Sequence, residues 1–209
     1  MKARVKVILI VLGVFSSWLS VLKCDAQTQT PTPVLRETKL DIPWIKQESP
    51  NLCGLANLEM ISKFYGQPLN DTQKEWLRTN AKSGVGLKGS DLVTALRAAD
   101  YEAAVFPGTL SADEDTGLYY HLNKGRPLIL MITSKDGHNS HYDIVTGYDL
   151  KQGQLFIIDP ALGPLTVSLK DFTAAWDRAH DFTLLAMPQK LVELQSTPNP
   201  KGTPTPSKK

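Results

Sequence analysis

The chain has 209 residues, a formal net charge of +2, and 42% hydrophobic and 21% charged residues. That is enough apolar chain for one globular domain with its own core. The charge is too small, and the basic residues too scattered among the aromatics, for a nucleic-acid partner.

Lys2, Arg4 and Lys6 precede an apolar run from Val7 to Leu22, and Cys24-Asp25-Ala26 ends on a small residue. The run is shorter than the ~20 apolar residues of a membrane span and has the layout of a secretory signal. Residues 1–26 are therefore expected to be a signal peptide cleaved after Ala26, with export to a bacterial periplasm or the extracellular space. Two alternatives stay open. The segment stays uncut and tethers the chain to the outer face of a membrane, or Cys24 is lipidated, against which Lys23 speaks because such sites want a small residue there. Cleavage leaves Cys53 as the single cysteine, which excludes an internal disulfide and points to a free reactive thiol or an intermolecular bridge. The other reading of a lone cysteine is a buried structural one.

Residues 27–34 are a polar, proline-spaced linker and residues 195–209 a Pro/Thr/Lys-rich tail, both expected to be disordered. The folded domain is expected over 35–194. Its first half reads as helical. Leu55, Leu58, Met60, Ile61 and Phe64 give Cys53–Tyr65 an apolar face, stopped by Gly66. A second helix is predicted over Thr72–Ala81, a third over Asp91–Ala99 capped by Ser90, and a fourth from a Ser111 cap through Lys124 to Gly125. Strands are predicted at Ala103–Phe106, in the apolar run Pro127–Thr133, and at Tyr142–Asp149, then through a Lys151-Gln152-Gly153 turn at Leu155–Asp159, Leu165–Ser168 and Phe182–Met187. Ser168 and Asp171 resemble a capping box opening a helix over Asp171–Ala179. Helices first and an antiparallel sheet afterwards make an α+β domain, with a helix-borne group facing a strand-borne one across a cleft. Trp44, Trp76 and Trp176 read as core residues, Trp44 also as a candidate to line that cleft.

Cys53 opens its helix, where the positive end of the backbone dipole favours thiolate over thiol. Gln47 lies six positions upstream, within reach of an oxyanion forming beside the sulfur. Downstream come His141-Tyr142, leading a strand to Gly147-Tyr148, and Asp159-Pro160 at a strand end. Cysteine, histidine and an orienting acid are the parts of a nucleophilic cysteine hydrolase. His138 lies in the polar run 134–140 and reads as a solvated loop histidine; His121 and His180 read as structural or surface residues. Asp143 and Asp149 compete with Asp159 for the orienting role. Asp143 shares the sheet face of His141, but two positions along one strand give an awkward geometry for a bond to the ring, so Asp159 is preferred, even though Asp-Pro is also a turn initiator.

The segments Gln47–Gly66, His141–Asp149 and Ile157–Ala161 resemble the C39 peptidase family, a papain-like group, over nearly the whole folded region. The resembling features are Gln-x5-Cys-Gly, a helix ending in Phe64-Tyr65-Gly66, the His-Tyr strand ending in Gly-Tyr, and the hairpin ending in Asp-Pro. The resemblance implies a papain-like fold and a peptidase acting through an acyl-enzyme. In it Cys53 is the nucleophile, His141 the general base and acid, Asp159 the residue orienting the imidazole, and Gln47 the oxyanion donor. It also implies cleavage after a Gly-Gly-like pair in a leader peptide. Leu52 and Leu55 depart from the family pattern around the cysteine. Leu52 is expected to narrow the cleft or lower its polarity, so Leu52, Gly54 and Trp44 are the substrate-binding candidates. No cofactor or metal is expected: His138 and His141 are three apart, but no further cysteine or HExxH pattern joins them. Residues 84–90 lack the Gly-Lys-Ser/Thr end of a phosphate loop, so no nucleotide is expected either. The expected protein is a standalone exported monomer acting on a peptide or protein. The other readings are a weakly active papain-like domain that binds an extended peptide, and an acyltransferase using the same residues.

Overall fold

The computed structural model describes residues 36–81 and 85–196. The expected signal peptide, the linker and all but the first two residues of the expected tail lie outside them. The chain order is β1 (Glu37–Lys39), α1 (Cys53–Phe64), α2 (Asp71–Asn80), α3 (Gly89–Arg97), β2 (Tyr101–Pro107), α4 (Leu118–Asn123), β3 (Leu128–Thr133), β4 (Ser140–Asp149), β5 (Gln154–Asp159), β6 (Gly163–Ser168), α5 (Leu169–Asp177), β7 (Phe182–Pro188) and α6 (Gln189–Ser196). This is the expected α+β, papain-like architecture, an N-terminal helical half packed on an antiparallel sheet.

Helix α1 forms because its apolar residues recur at helical spacing, and it is the most enclosed element of its half: nine of its twelve residues are buried. It ends at Tyr65 because Gly66 turns to φ +69°, a conformation glycine adopts without a Cβ penalty. In α2 the cap is reciprocal, the Gln73 N–H donating to the Asn70 side chain while Gln73 Oε1 accepts from the Asn70 N–H. Helix α3 starts before Ser90, which lies in its first turn; the end is closed by Asp91, whose carboxylate accepts from the Lys88 N–H at 2.8 Å.

The sheet has the order β2-β7-β3-β4-β5-β6, with every neighbouring pair antiparallel. β1 was too short to read in the sequence. It pairs with Gly147–Asp149 of β4, beyond the last β3 partner at Val145. It runs so close that a Cβ on Gly147 would stand 2.0 Å from the Thr38 carbonyl oxygen, so only glycine fits there.

Both faces of the sheet are covered. On one, Leu55, Leu58 and Ile61 of α1 and Leu92 and Leu96 of α3 pack on Ile129, Tyr142, Ile144 and Ile158. On the other, Leu118 and Leu122 of α4 and Phe172 and Trp176 of α5 pack on Leu130, Val145 and Ile157. Burial on both faces explains why β3 is a continuous apolar run rather than an alternating one. Each fully buried leucine or isoleucine contributes about 1.5–3 kcal/mol.

Four expectations are corrected. The fourth helix is confined to Leu118–Asn123, because the Ser111 hydroxyl accepts from the N–H groups of Asp113 and Glu114 and so closes a local turn instead of opening a long helix. Helix α5 starts earlier, at Leu169, with the Ser168 side chain accepting from Asp171. At the C-terminus α6 continues through Ser196, two residues into the expected tail. Among the described residues Trp176 is the one core tryptophan; Trp44 is 44% and Trp76 39% exposed.

Candidate active site

The N-terminus of α1 meets the beginning of β4, and a buried asparagine holds the two together. Asn57 is fully buried, and its Nδ2 donates both to the Cys53 carbonyl (2.9 Å) and to the Tyr142 carbonyl (2.7 Å). The nucleophile candidate and the residue after the histidine candidate are thereby fixed to one amide group. The sequence reading missed Asn57, which looks like any polar residue in a helix.

Cys53 is a free, buried thiol in the wall of a cleft of about 520 Å³. The rest of the cleft comes from Pro50 and Asn51 before α1, Val85 and Gly86, and His138 to Ser140 before β4. His138, read as a solvated loop residue, is exposed and borders this cleft. A composition-based reading cannot show where a loop folds back.

His141 is the second residue of β4, and its ring and the Cys53 thiol stand close enough to shift each other's protonation. Burial pushes the thiol up, but the hydrogen bond with His141, backbone hydrogen bonds at Tyr142 and Gly54 and the imidazole charge together bring it below the usual thiol value. Burial also disfavours the charged ring. It is outweighed by the Cys53 hydrogen bond and the nearby Asp143, Cys53 and Asp159 charges, which raise His141 to about 9. Both shifts favour a thiolate–imidazolium pair at neutral pH.

The far edge of the ring faces two carboxylates. Nε2 of His141 lies 3.3 Å from Asp159 Oδ1 and 3.6 Å from Asp143 Oδ1. Nδ1 is thus the ring nitrogen left for the sulfur. Asp159 Oδ1 also accepts from the N–H groups of Ala161 (2.6 Å) and Leu162 (3.1 Å), so it caps the turn after β5 and approaches the ring at once. Asp143, set aside in the sequence on grounds of local geometry, is close enough to act on the ring and is 1% exposed. Burial, opposed by His141 and reinforced by Asp159, raises its carboxyl to about 7. The donor atoms of His141, Asp143 and Asp159 lie within 4.8 Å of one another and are the group among the described residues that could hold a metal ion.

Gln47 is tied to the same corner, its N–H donating to the Pro160 carbonyl at 2.9 Å. Its side-chain Nε2 donates to the Ser49 carbonyl at 2.8 Å, which orients the amide and leaves its second proton for another acceptor. Asp149, the other competitor, is engaged elsewhere: its carboxylate accepts from Lys151 and Gln152 in the β4–β5 turn.

The substrate-binding candidates are placed differently from expectation. Leu52 is 7% exposed and belongs to the core around α1, so it does not narrow the cleft. Gly54 is also buried; a Cβ there would meet Leu92 Cδ2 at 2.9 Å, so its smallness serves the packing of α1 on α3 and the Leu87 side chain. Trp44 is exposed and lies over the turn after β5, about 3.8 Å from the Cβ position of Gly163.

A thiol at the buried end of a helix, paired with a strand-borne imidazole on a two-faced antiparallel sheet, defines the papain-like class of cysteine peptidase folds. The chain belongs to the peptidase C39 family, whose model matches residues 41–190. Solved structures with the same fold include a double glycine motif protease from an AMS/PCAT transporter in complex with a leader peptide (20% identity, covering 72% of this chain and 94% of that one, TM-score 0.52). Others are the peptidase domain of Streptococcus ComA, a bi-functional ABC transporter (21%, 73% and 99%, 0.54), and a structure described as a C39-like peptidase from Bacillus anthracis (18%, 72% and 97%, 0.56). A comparison with curated proteins gave no match.

Proposed function

We propose that this chain is an exported cysteine endopeptidase in which Cys53 attacks the carbonyl carbon of a peptide bond. The observation that carries this reading is the Cys53–His141 pair, each shifting the other's protonation, with a carboxylate 3.3 Å from the far side of the ring. The thiolate forms the C–S bond, and the negative charge moves to the carbonyl oxygen. The Cys53 backbone N–H and the uncommitted proton of Gln47 Nε2 stabilise that oxyanion. The imidazolium of His141 gives its proton to the leaving amine as the C–N bond breaks. Water then gives a proton to His141 and its oxygen to the acyl carbon, releasing the acid and the thiolate. Asp159 holds the ring in the required orientation.

The proposed substrate is a peptide cut after a Gly-Gly-like pair, in keeping with the leader peptide bound to one structural relative. Action outside the cytoplasm is supported by the basic start and apolar run of residues 2–22. The test is intact mass spectrometry of the exported protein after iodoacetamide at graded pH, followed by a screen of double-glycine peptides. Single labelling at Cys53 with a midpoint well below ~8.5, the free-thiol value, together with cleavage after Gly-Gly, is expected. Labelling at the free-thiol value with no cleavage would overturn the reading in favour of a peptide-binding domain. An amide product carrying an added amine would turn it to acyl transfer. The mass before labelling shows whether the chain starts at Gln27.

A further inference from the structure

The carboxyl of Asp143 is 1% exposed, and one of its oxygens has no hydrogen-bond donor. It projects from the middle of the sheet onto the face occupied by Leu130, Val145 and Ile157, where an aliphatic side chain would pack without penalty. Its Oδ1 is buried and accepts no hydrogen bond. A buried, unpartnered carboxyl oxygen is among the more destabilising groups a sheet can carry. What it does face is His141 Nε2, at 3.6 Å, beside the 3.3 Å approach of Asp159.

The two acids differ in what holds them. Asp159 Oδ1 is held in place by two backbone N–H groups. Asp143 Oδ1 has no such donors. Asp143 is the more deeply buried of the two, its side chain 1% exposed against 15% for Asp159, and burial without a donor favours its neutral form. The groups facing this corner are Cys53 from α1, Asp159 from β5 and His141 itself; β3 opposes His141 and Asp143 with Ile132 and Leu130, which carry no charge.

We propose that Asp143 is a second positioning carboxyl for His141. Its charge appears only as the pH rises and then keeps the ring in the imidazolium form at pH values where Asp159 alone would let it go. The inference rests on the reading of Cys53 and His141 as the reacting pair. In acid, Asp143 is neutral and the ring is positioned by the 3.3 Å contact with Asp159. As Asp143 loses its proton to solvent in the neutral range, a second negative charge meets Nε2 and the alkaline limb of peptide cleavage moves upward. The raised values of Asp143 and His141 agree in direction with this order.

The test is the pH titration of the His141 ring by NMR, with the pH profile of peptide cleavage, in the parent chain and in Asp143→Asn. The His141 midpoint is expected to fall by about one pH unit in the variant, and the ratio of cleavage at pH 9 to that at pH 6 to fall about tenfold. An unchanged His141 midpoint overturns the proposal. Should Asp143→Asn not fold, the parent decides: its Asp143 carboxyl resonance is expected to titrate in the neutral range, with the His141 ring registering the same step. Titration below about pH 5, the ordinary carboxylate range, or a ring blind to it, overturns the proposal. Iodoacetamide labelling separates the two readings. A Cys53 midpoint at the free-thiol value sinks the reacting pair itself, whereas a lowered Cys53 midpoint with an unmoved His141 sinks only the role of Asp143.

Discussion

The helical and sheet halves hold their reactive groups by different means. Cys53 starts a helix that is buried along most of its length, and packing fixes its position. His141 stands at the second residue of a strand, next to an exposed loop at 138–139, and is aimed by charges and hydrogen bonds instead. A group fixed by packing is disturbed only when the core is disturbed. A group fixed by electrostatics can be retuned by one atom, which is why two carboxylates can cluster at the histidine and none at the thiol.

The most severe break is Cys53→Ala. It leaves a helix-compatible residue in the core but removes the nucleophile, so peptide cleavage should fall about 10⁴-fold or more with little change in the unfolding midpoint. Asp143→Asn sharpens the contrast through stability. The folded-state carboxyl is raised from 3.8 to about 7. The unfolded chain therefore ionises at about pH 4 while the folded chain still holds its proton. Stability falls as pH rises through that window, and the full penalty, up to about 4 kcal/mol, is present above it. Asn carries no such penalty, so the variant should melt several degrees above the parent at pH 8, and this gain should vanish near pH 4. Gln47→Ala removes one oxyanion donor and should lower kcat by about 10²–10³-fold without moving the denaturant midpoint. Asn57→Leu unties the halves by removing the two buried side-chain hydrogen bonds to the Cys53 and Tyr142 carbonyls. Urea unfolding should show a loss of about 2–4 kcal/mol. Cleavage measured well below the unfolding midpoint should fall as well, because Cys53 and Tyr142 are no longer held to one group.

The sequence carried α1 clearly, because its apolar spacing and Gly66 are local signals. It also pointed to Cys53, His141 and Asp159 through the motifs around them, and these three residues do converge. It missed what depends on distant chain. Asp143 was two positions from His141 on the same face, but only the bend of the strand decides whether its carboxyl reaches Nε2. Leu52 and Gly54 looked like cleft residues because they flank the thiol; the helix turn directs them to the core and to Leu92. Trp44 and Trp76 looked like core because tryptophan usually is, and nothing local shows that their rings lie on the surface. β1 is three residues long, too short for any alternation, and exists only because Gly147 lets it approach β4.

That strap has a further consequence for the birth of the molecule. Residues 37–47 are made early, yet their partners are the end of β4 and the turn after β5: Leu40 bonds to Thr146, and Gln47 to Pro160. Helix α1 can collapse on its helical neighbours before then, but Gln47, His141, Asp143 and Asp159 find their places only when the second half of the chain has arrived. Long-range pairing of this kind forms late in folding. Cys53 therefore stands without His141 beside it until the second half of the chain has folded, and the pair is assembled among the last events of folding.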